Sequence, residues 1–242
     1  MKNSKISLVS SAYNEFDCIF RMTDYLRELS VRIDPNWEIV LVDNASSDEK
    51  FSNSLKLAFE NIPNLIVKRN PSGKGWGDGI KFGLKCASNE RVVIFPSDMQ
   101  YSLEDIIKVA TLTSQSKSNQ IILTERIRRD ELKLRLRGML WKKLLKILFI
   151  PGNDPMSQLR GFTQPKEYLL SLKSHNHMWD MESLLFARKL RWEIIETKVE
   201  FHNRPCGSTT TKNSIYLGIS SIIELFRIWL RFLKFSKTKG FE

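Results

Sequence analysis

In the first hundred residues, short polar clusters close apolar runs. Tyr13-Asn14-Glu15 comes soon after the run 6–10, Asp43-Asn44 closes 37–42, and Pro96-Ser97-Asp98-Met99-Gln100 closes 91–95. A glycine-rich turn, 71–79, carries Lys74 after the run 65–68. These residue types can build a polar ligand site. Carboxylates and amides accept hydrogen bonds, carboxylate oxygens suit a hard cation, and a lysine among glycines meets an anion as a point charge. Taken singly, Glu15 and Asp43 are equally suited to capping a turn or a helix at a strand end.

Such clusters work together only if the elements between them bring them to one edge. The runs 6–10, 37–42, 65–68 and 91–95 read as strands, and helical patterns separate them, one through Leu29, one over 51–59 and one after Gly79. Alternating strands and helices predict right-handed βαβ units in an α/β fold, an open, mixed but mostly parallel sheet flanked by helices. Ligands of such sheets bind beyond the carboxyl ends of the strands, where these clusters fall. The chain has 242 residues, 42% hydrophobic and 27% charged. That composition excludes a disordered chain, a collagen-like repeat and a disulfide-stapled miniprotein, and predicts one core-bearing domain over about 1–210 with an appendage, 211–242. The three cysteines, Cys18, Cys86 and Cys206, lie far apart, which predicts reduced thiols in a cytosol-facing protein. The stretch 1–12 has lysines but no signal-peptide apolar region.

The formal net charge of +11 is unevenly placed. Residues 1–100 carry 13 basic and 13 acidic side chains, whereas 101–242 carry 25 basic and 14 acidic, the whole of the excess. Nine basic residues fall in 126–146 and six in 212–239. Both segments are interleaved with Leu, Ile and Phe. At 100° per residue the stretch about 132–150 separates an apolar half from Arg135, Lys142, Lys143 and Lys146. In 215–235, Ser220, Glu224, Arg227, Arg231 and Lys234 share an arc of about 80° and nearly everything else is apolar. Four charges argue against a spanning helix, so a helix in an anionic membrane interface is expected. Docking of such helices on each other or on a second subunit is the alternative. Nucleic acid is not expected as a partner, because no nucleic-acid-binding motif accompanies the charge.

The clusters also resemble a known family. Ser10-Ser11-Ala12-Tyr13-Asn14-Glu15, Ile39-Val40-Leu41-Val42-Asp43-Asn44-Ala45-Ser46-Ser47-Asp48, Gly73-Lys74-Gly75-Trp76-Gly77-Asp78-Gly79 and Ile94-Phe95-Pro96-Ser97-Asp98-Met99-Gln100 resemble, in order and spacing, the motifs of family 2 glycosyltransferases with the GT-A (Rossmann-like) fold. The resemblance implies a nucleotide-sugar site with Ala12, Tyr13, Glu15 and Asp43 around base and ribose and Lys74 near the diphosphate. Asp98 would serve donor binding, catalysis and, with Gln100, a Mg²⁺ or Mn²⁺ ion. Pro96 stands where the family has the first Asp of Asp-x-Asp, which weakens the expected metal site.

The second half is similar to the polyprenyl-phosphate glycosyltransferase branch, to which dolichol-phosphate mannose synthase belongs. The residues concerned are Arg126-Ile127-Arg128-Arg129-Asp130, Asp154-Pro155-Met156-Ser157, Gly161-Phe162, Trp179-Asp180-Met181-Glu182, Glu196-Thr197-Lys198-Val199 and Arg204-Pro205-Cys206-Gly207-Ser208. This similarity implies inverting transfer of one sugar to a lipid phosphate by a peripheral enzyme on the cytoplasmic face of a membrane. Arg126, Arg128, Arg129, Arg204 and Ser208 would gather the acceptor phosphate. A sugar-hydroxyl acceptor would instead need a base, for which Asp154 and Asp180 are candidates. Two alternatives stay open, a glycan acceptor in surface-polysaccharide synthesis and a catalytically impaired nucleotide-sugar-binding relative. A homo-oligomer, or a separate membrane-spanning partner, is compatible with the sequence.

Overall fold

The computed structural model describes residues 4–47, 58–127, 143, 145–148, 150–163, 166–206 and 214–234. The expected strands form β1 (Ile6–Ala12), β2 (Glu38–Asn44), β3 (Leu65–Asn70) and β4 (Arg91–Ile94), and helices α1 (Ile19–Arg32), α2 (Trp76–Cys86) and α3 (Leu103–Gln115) lie between or after them. Three further strands, β5 (Gln120–Ile127), β6 (Arg160–Phe162) and β7 (Glu193–Glu200), accompany α4 (Lys166–Ser171), α5 (Trp179–Lys189) and α6 (Ser214–Lys234). β6 is too short to give a periodic signal. In β7 the exposed Glu193, Glu196, Lys198 and Glu200 dilute its apolar content.

The seven strands run in the order β3-β2-β1-β4-β6-β5-β7. β6 alone is antiparallel to its neighbours; β3, β2, β1 and β4 pair in parallel, as do β5 and β7. Alternate residues of each strand feed opposite cores. Leu8 and Leu41 point into the layer with Leu26 of α1 and Ile106 of α3, while Val9 and Val42 meet Ile80 and Leu84 of α2, Trp179 of α5 and Leu225 and Ile228 of α6. Each such fully buried aliphatic side chain contributes about 1.5–3 kcal/mol. Two faces covered by helices make the central strands near-continuous apolar runs, and their polar residues collect at the carboxyl ends.

One expectation changes. Cys18 and Cys206 are not separate thiols: they form a disulfide across 188 residues, with Cα atoms 5.6 Å apart, and Cys86 is free. Sequence distance concealed a pairing that the return of the chain after β7 creates. Within the stretch 211–242, α6 puts Leu225 and Ile228 into the shared core. Its polar arc is divided, with Arg227 and Lys234 exposed. Glu224 and Arg231 turn inward, whereas Ile222, Ile223, Phe226, Leu230 and Leu233 are exposed. No helix among the described residues is long and apolar enough to cross a membrane. Most of the basic amphipathic stretch 132–150, with Arg128, Arg129 and Ser208, lies outside the described residues.

Candidate active site

A cleft of about 490 Å³ opens where the carboxyl ends of β1, β2 and β4 meet the amino end of α2. Ser11, Tyr13 and Glu15 line it after β1, Asn44 and Ala45 at the end of β2, and Gly73, Lys74, Gly75 and Trp76 in the glycine turn. Pro96, Ser97 and Asp98 follow β4, Gln158 precedes the antiparallel β6, and Arg204 follows β7. The topology thus gathers six chain segments at one edge of the sheet.

The rim is fixed by local chemistry. Asn14 and Ala45 hold φ of 53° and 60°, and Met99, beside Asp98, holds 57°. This left-handed backbone suits Asn but is sparsely populated by Ala and Met, so the surrounding structure must enforce it. The Asn14 side-chain oxygen accepts from Ser47 N–H at 2.9 Å, and Asn14 N–H donates to Ser46 Oγ at 3.0 Å, tying the ends of β1 and β2 together. Asn44 Nδ2 donates to the Gly75 carbonyl at 2.9 Å and Asn70 Nδ2 donates to Asn44 Oδ1 at 2.9 Å, which suspends the turn over the cleft. Gly75 has φ of 152°, and a Cβ there would lie 3.0 Å from the His175 carbonyl oxygen. Glycine is therefore required where this turn meets the segment before α5. Asp78 N–H donates to that same carbonyl at 3.0 Å and the Asp78 carboxylate meets His175 Nδ1 at 2.5 Å, while Lys74 N–H donates to Asp78 Oδ2 at 3.1 Å.

Arg204 is the electrostatic centre. Its Nη1 lies 3.4 Å from Glu15 Oε1 and its Nη2 3.4 Å from Asp98 Oδ2. Burial pushes the Asp98 and Glu15 carboxyls above the usual range, against the opposing pull of the Arg204 charge; the Asp98 charge adds to the rise at Glu15. Two carboxylates, Arg204 and Lys74 around an open cleft can accept bonds from a polar ligand and hold an anion or a cation–anion pair.

The expected site residues divide accordingly. Tyr13, Glu15, Lys74, Asp98 and Arg204 meet in the cleft. Ala12 is buried beside it. Asp43 does not face the cleft: its Oδ2 pairs with Arg69 Nη1 at 2.9 Å and its Oδ1 accepts from Ser46 N–H at 3.2 Å, the capping alternative. Gln100 Nε2 donates to the His202 carbonyl at 2.9 Å, so the amide pins the chain after β7, and Gln100 does not line the cleft. Arg126 and Asp154 hold each other through two bonds, Nε to Oδ2 at 2.7 Å and Nη2 to Oδ1 at 3.0 Å. Neither lines the cleft. Asp180 is wholly buried with Arg160 Nε 3.8 Å away, and burial, partly offset by the Arg160 charge, pushes its carboxyl up to about 6. The Trp76 indole lies near enough to lower that value somewhat, though it falls outside hydrogen-bonding geometry. The sequence reading missed Asn44, Trp76, Ser97 and Gln158 as cleft residues. Asn44, Trp76 and Ser97 sit inside quoted motifs, whereas Gln158 enters only because β6 runs antiparallel. For a divalent ion, Asp98 is the one expected ligand whose carboxylate faces the cleft. No group of three His, Cys, Asp or Glu among the described residues could hold a metal alone. The donor set fits an ion that shares Asp98 with an oxyanion ligand.

An α/β sheet with this strand order and a polar cleft at the β1, β2 and β4 ends defines a GT-A type glycosyltransferase domain. The family profile "Glycosyl transferase family 2" matches residues 7–165, and the chain belongs to this family of glycosyltransferases. No curated protein sequence matches it. Among solved structures, glucosyl-3-phosphoglycerate synthase from Mycobacterium tuberculosis in complex with phosphoglyceric acid is similar over 97% of this chain and 82% of that one, with TM-score 0.66 and 16% identity. The same enzyme with Mn²⁺, UDP and phosphoglyceric acid gives TM-score 0.69 at 17% identity over 97% and 80%. With Mn²⁺, UDP-glucose and phosphoglyceric acid it gives 0.66 at 15% over 97% and 81%. At these identities the likeness concerns the fold.

Proposed function

We propose that the protein transfers a sugar, with inversion, from a nucleotide donor in the cleft to a polyprenyl phosphate presented at a membrane surface. The carrying observation is the withdrawal of both expected bases. Asp154 is engaged by Arg126, Asp180 is buried beside Arg160, and the carboxylates that do face the cleft, Glu15 and Asp98, share Arg204. A sugar hydroxyl would need a base to remove its proton, whereas a phosphate oxygen arrives ionised near neutral pH and supplies its own nucleophile. Lys74 and Arg204 are the cleft cations that would hold donor diphosphate and acceptor phosphate. The outward apolar face of α6, with Arg227 and Lys234 at the surface, supports a location on a lipid surface.

Tyr13 and Glu15 would border the base and ribose. A divalent ion, Mg²⁺ or Mn²⁺, would be held by Asp98 together with the donor's phosphate oxygens, and when bound it neutralises charge on the leaving nucleotide. The similar structures with Mn²⁺ and UDP support this part of the reading. Purified protein with vesicles containing polyprenyl phosphate and a panel of radiolabelled nucleotide sugars should form a product extractable into organic solvent. Label passing instead to a glycan or to a small soluble phosphorylated acid would overturn the lipid acceptor. Donor binding without transfer to any of these would favour the impaired relative.

A further inference from the structure

Arg204 enters the cleft from a segment, 201–206, that lies outside every helix and strand. Its position depends on how this segment is tethered. His202 N–H donates to the Gln100 carbonyl at 2.9 Å, and Gln100 Nε2 returns a bond to the His202 carbonyl at 2.9 Å. Arg21 Nη1, from α1, donates to the Pro205 carbonyl at 2.6 Å. The one covalent tether is the Cys18–Cys206 disulfide. Cys18 ends the short 3-10 turn Phe16–Cys18 that starts immediately after Glu15. The disulfide therefore closes a small ring: from Glu15 along the turn to Cys18, across the sulfurs to Cys206, back two residues to Arg204, and through its guanidinium to the Glu15 carboxylate.

We propose that the Cys18–Cys206 pair is a reversible positioning device for Arg204, so that the oxidation state of the two sulfurs sets how well the cleft holds a nucleotide diphosphate. This rests on the reading of the cleft as the donor site. With the disulfide formed, the guanidinium is pre-organised between Glu15 and Asp98 and an anionic ligand meets a fixed cation. With it reduced, the segment keeps its hydrogen bonds, the Arg204 ion pairs and the packing of Phe201 on Tyr101 but loses its covalent tether, so the ligand must itself immobilise more of Arg204. The two residues differ in exposure: Cys18 is 2% exposed, and Cys206 is partly exposed. A small-molecule thiolate attacks the Cys206 sulfur, forming a mixed disulfide and expelling the Cys18 thiolate, which takes up a proton. A second small thiol then releases Cys206 as a thiol, so two small thiols leave as one small disulfide. The reverse exchange with a small disulfide restores the bond. In a reducing compartment such a pair responds to the thiol pool instead of serving as a permanent staple.

The test uses the full chain carrying Cys86→Ser, oxidised with glutathione disulfide or reduced with a phosphine, each state verified by intact mass. Calorimetric titration with UDP and with GDP, in Mn²⁺, should give affinity about tenfold higher for the oxidised form. The Cys18→Ser/Cys206→Ser variant should match the reduced form and ignore the phosphine. Arg204→Met should bind weakly and equally in both states, which a general stabilising staple would not produce. Amide exchange in the ligand-free protein should rise at 201–206 on reduction while β1 and β4 stay protected. Equal affinity of the two states, or the same redox shift in Arg204→Met, overturns the proposal. If neither nucleotide binds either form, the donor reading fails for them, and unchanged exchange at 201–206 then overturns the device separately.

Discussion

Arg231 Nη2 of α6 lies 3.2 Å from Oε1 of Glu182, a carboxylate 2% exposed at the start of α5. Glu182 Oε2 meanwhile accepts from Ser174 N–H at 2.7 Å, and Ser174 Oγ lies 3.2 Å from Glu224 of α6. The last described helix is thereby latched to the segment 174–178, whose His175 contacts the glycine turn of the cleft. Glu182 is buried while Arg231 is about a third exposed, so Arg231→Met should leave a partly screened charge and cost roughly 1–2 kcal/mol in denaturant unfolding. Adding Glu182→Gln, which keeps an acceptor for Ser174, should recover most of it. A single variant as stable as the wild type would show that the pair is idle.

While Glu224 and Arg231 of α6 turn inward, Phe226 and Leu230 are exposed. Phe226→Glu with Leu230→Glu should reduce co-sedimentation with phosphatidylglycerol vesicles by about tenfold or more, since one inserted side chain contributes about 1.5–3 kcal/mol. The melting temperature should hold, because both residues are exposed. Undiminished vesicle binding by this double variant would remove α6 as the membrane contact.

Asp180 titrates near 6 because burial outweighs the attraction of Arg160 at 3.8 Å. The folded state then keeps a proton that the unfolded chain, with an ordinary value of 3.8, gives up. Stability should fall as pH rises from about 4 to about 6, by up to about 3 kcal/mol. Asp180→Asn, which mimics the protonated side chain, should remove that slope and be more stable than wild type at pH 7. It should also retain transfer to a lipid phosphate; loss of transfer with the fold intact would restore Asp180 as a base.

Glu15 and Asp98 both have raised values, and Arg204 is the main influence holding them down. Cation-assisted nucleotide binding needs the Asp98 carboxylate ionised, so affinity should weaken as pH falls through its raised value. Arg204→Met should move that weakening to higher pH. Titrations with Mn²⁺ and nucleotide between pH 5 and 8 decide this, and an unmoved pH profile would mean that Arg204 does not control these carboxyls.

Much of the first half and its cleft edge was legible in the sequence because its determinants are local. Strands buried on both faces are short apolar runs, and their carboxyl ends must be polar, so 6–10, 37–42 and 91–95 announced β1, β2 and β4 and placed Tyr13, Glu15 and Asp98 at one edge. Lys74 in its glycine turn was equally visible, since a turn needs its residues next to one another. The +11 charge could be apportioned along the chain, but not assigned to faces.

Tertiary structure decided which polar groups are spent on each other. Asp43 and Arg69, Arg126 and Asp154, and Asp180 and Arg160 each pair across 20 or more residues, and only the packed chain shows that these carboxylates are withdrawn from the cleft. The same holds for the inward turn of Arg231 and for Cys18 meeting Cys206. A helical wheel fixes which residues share a face, while the direction of that face follows from the buried Glu182 waiting for a cation. Sequence alone determined the strand-end chemistry, because its causes lie within a few residues. The centre of the site, Arg204 between Glu15 and Asp98, depends on contacts 189 and 106 residues apart, which no local pattern can encode.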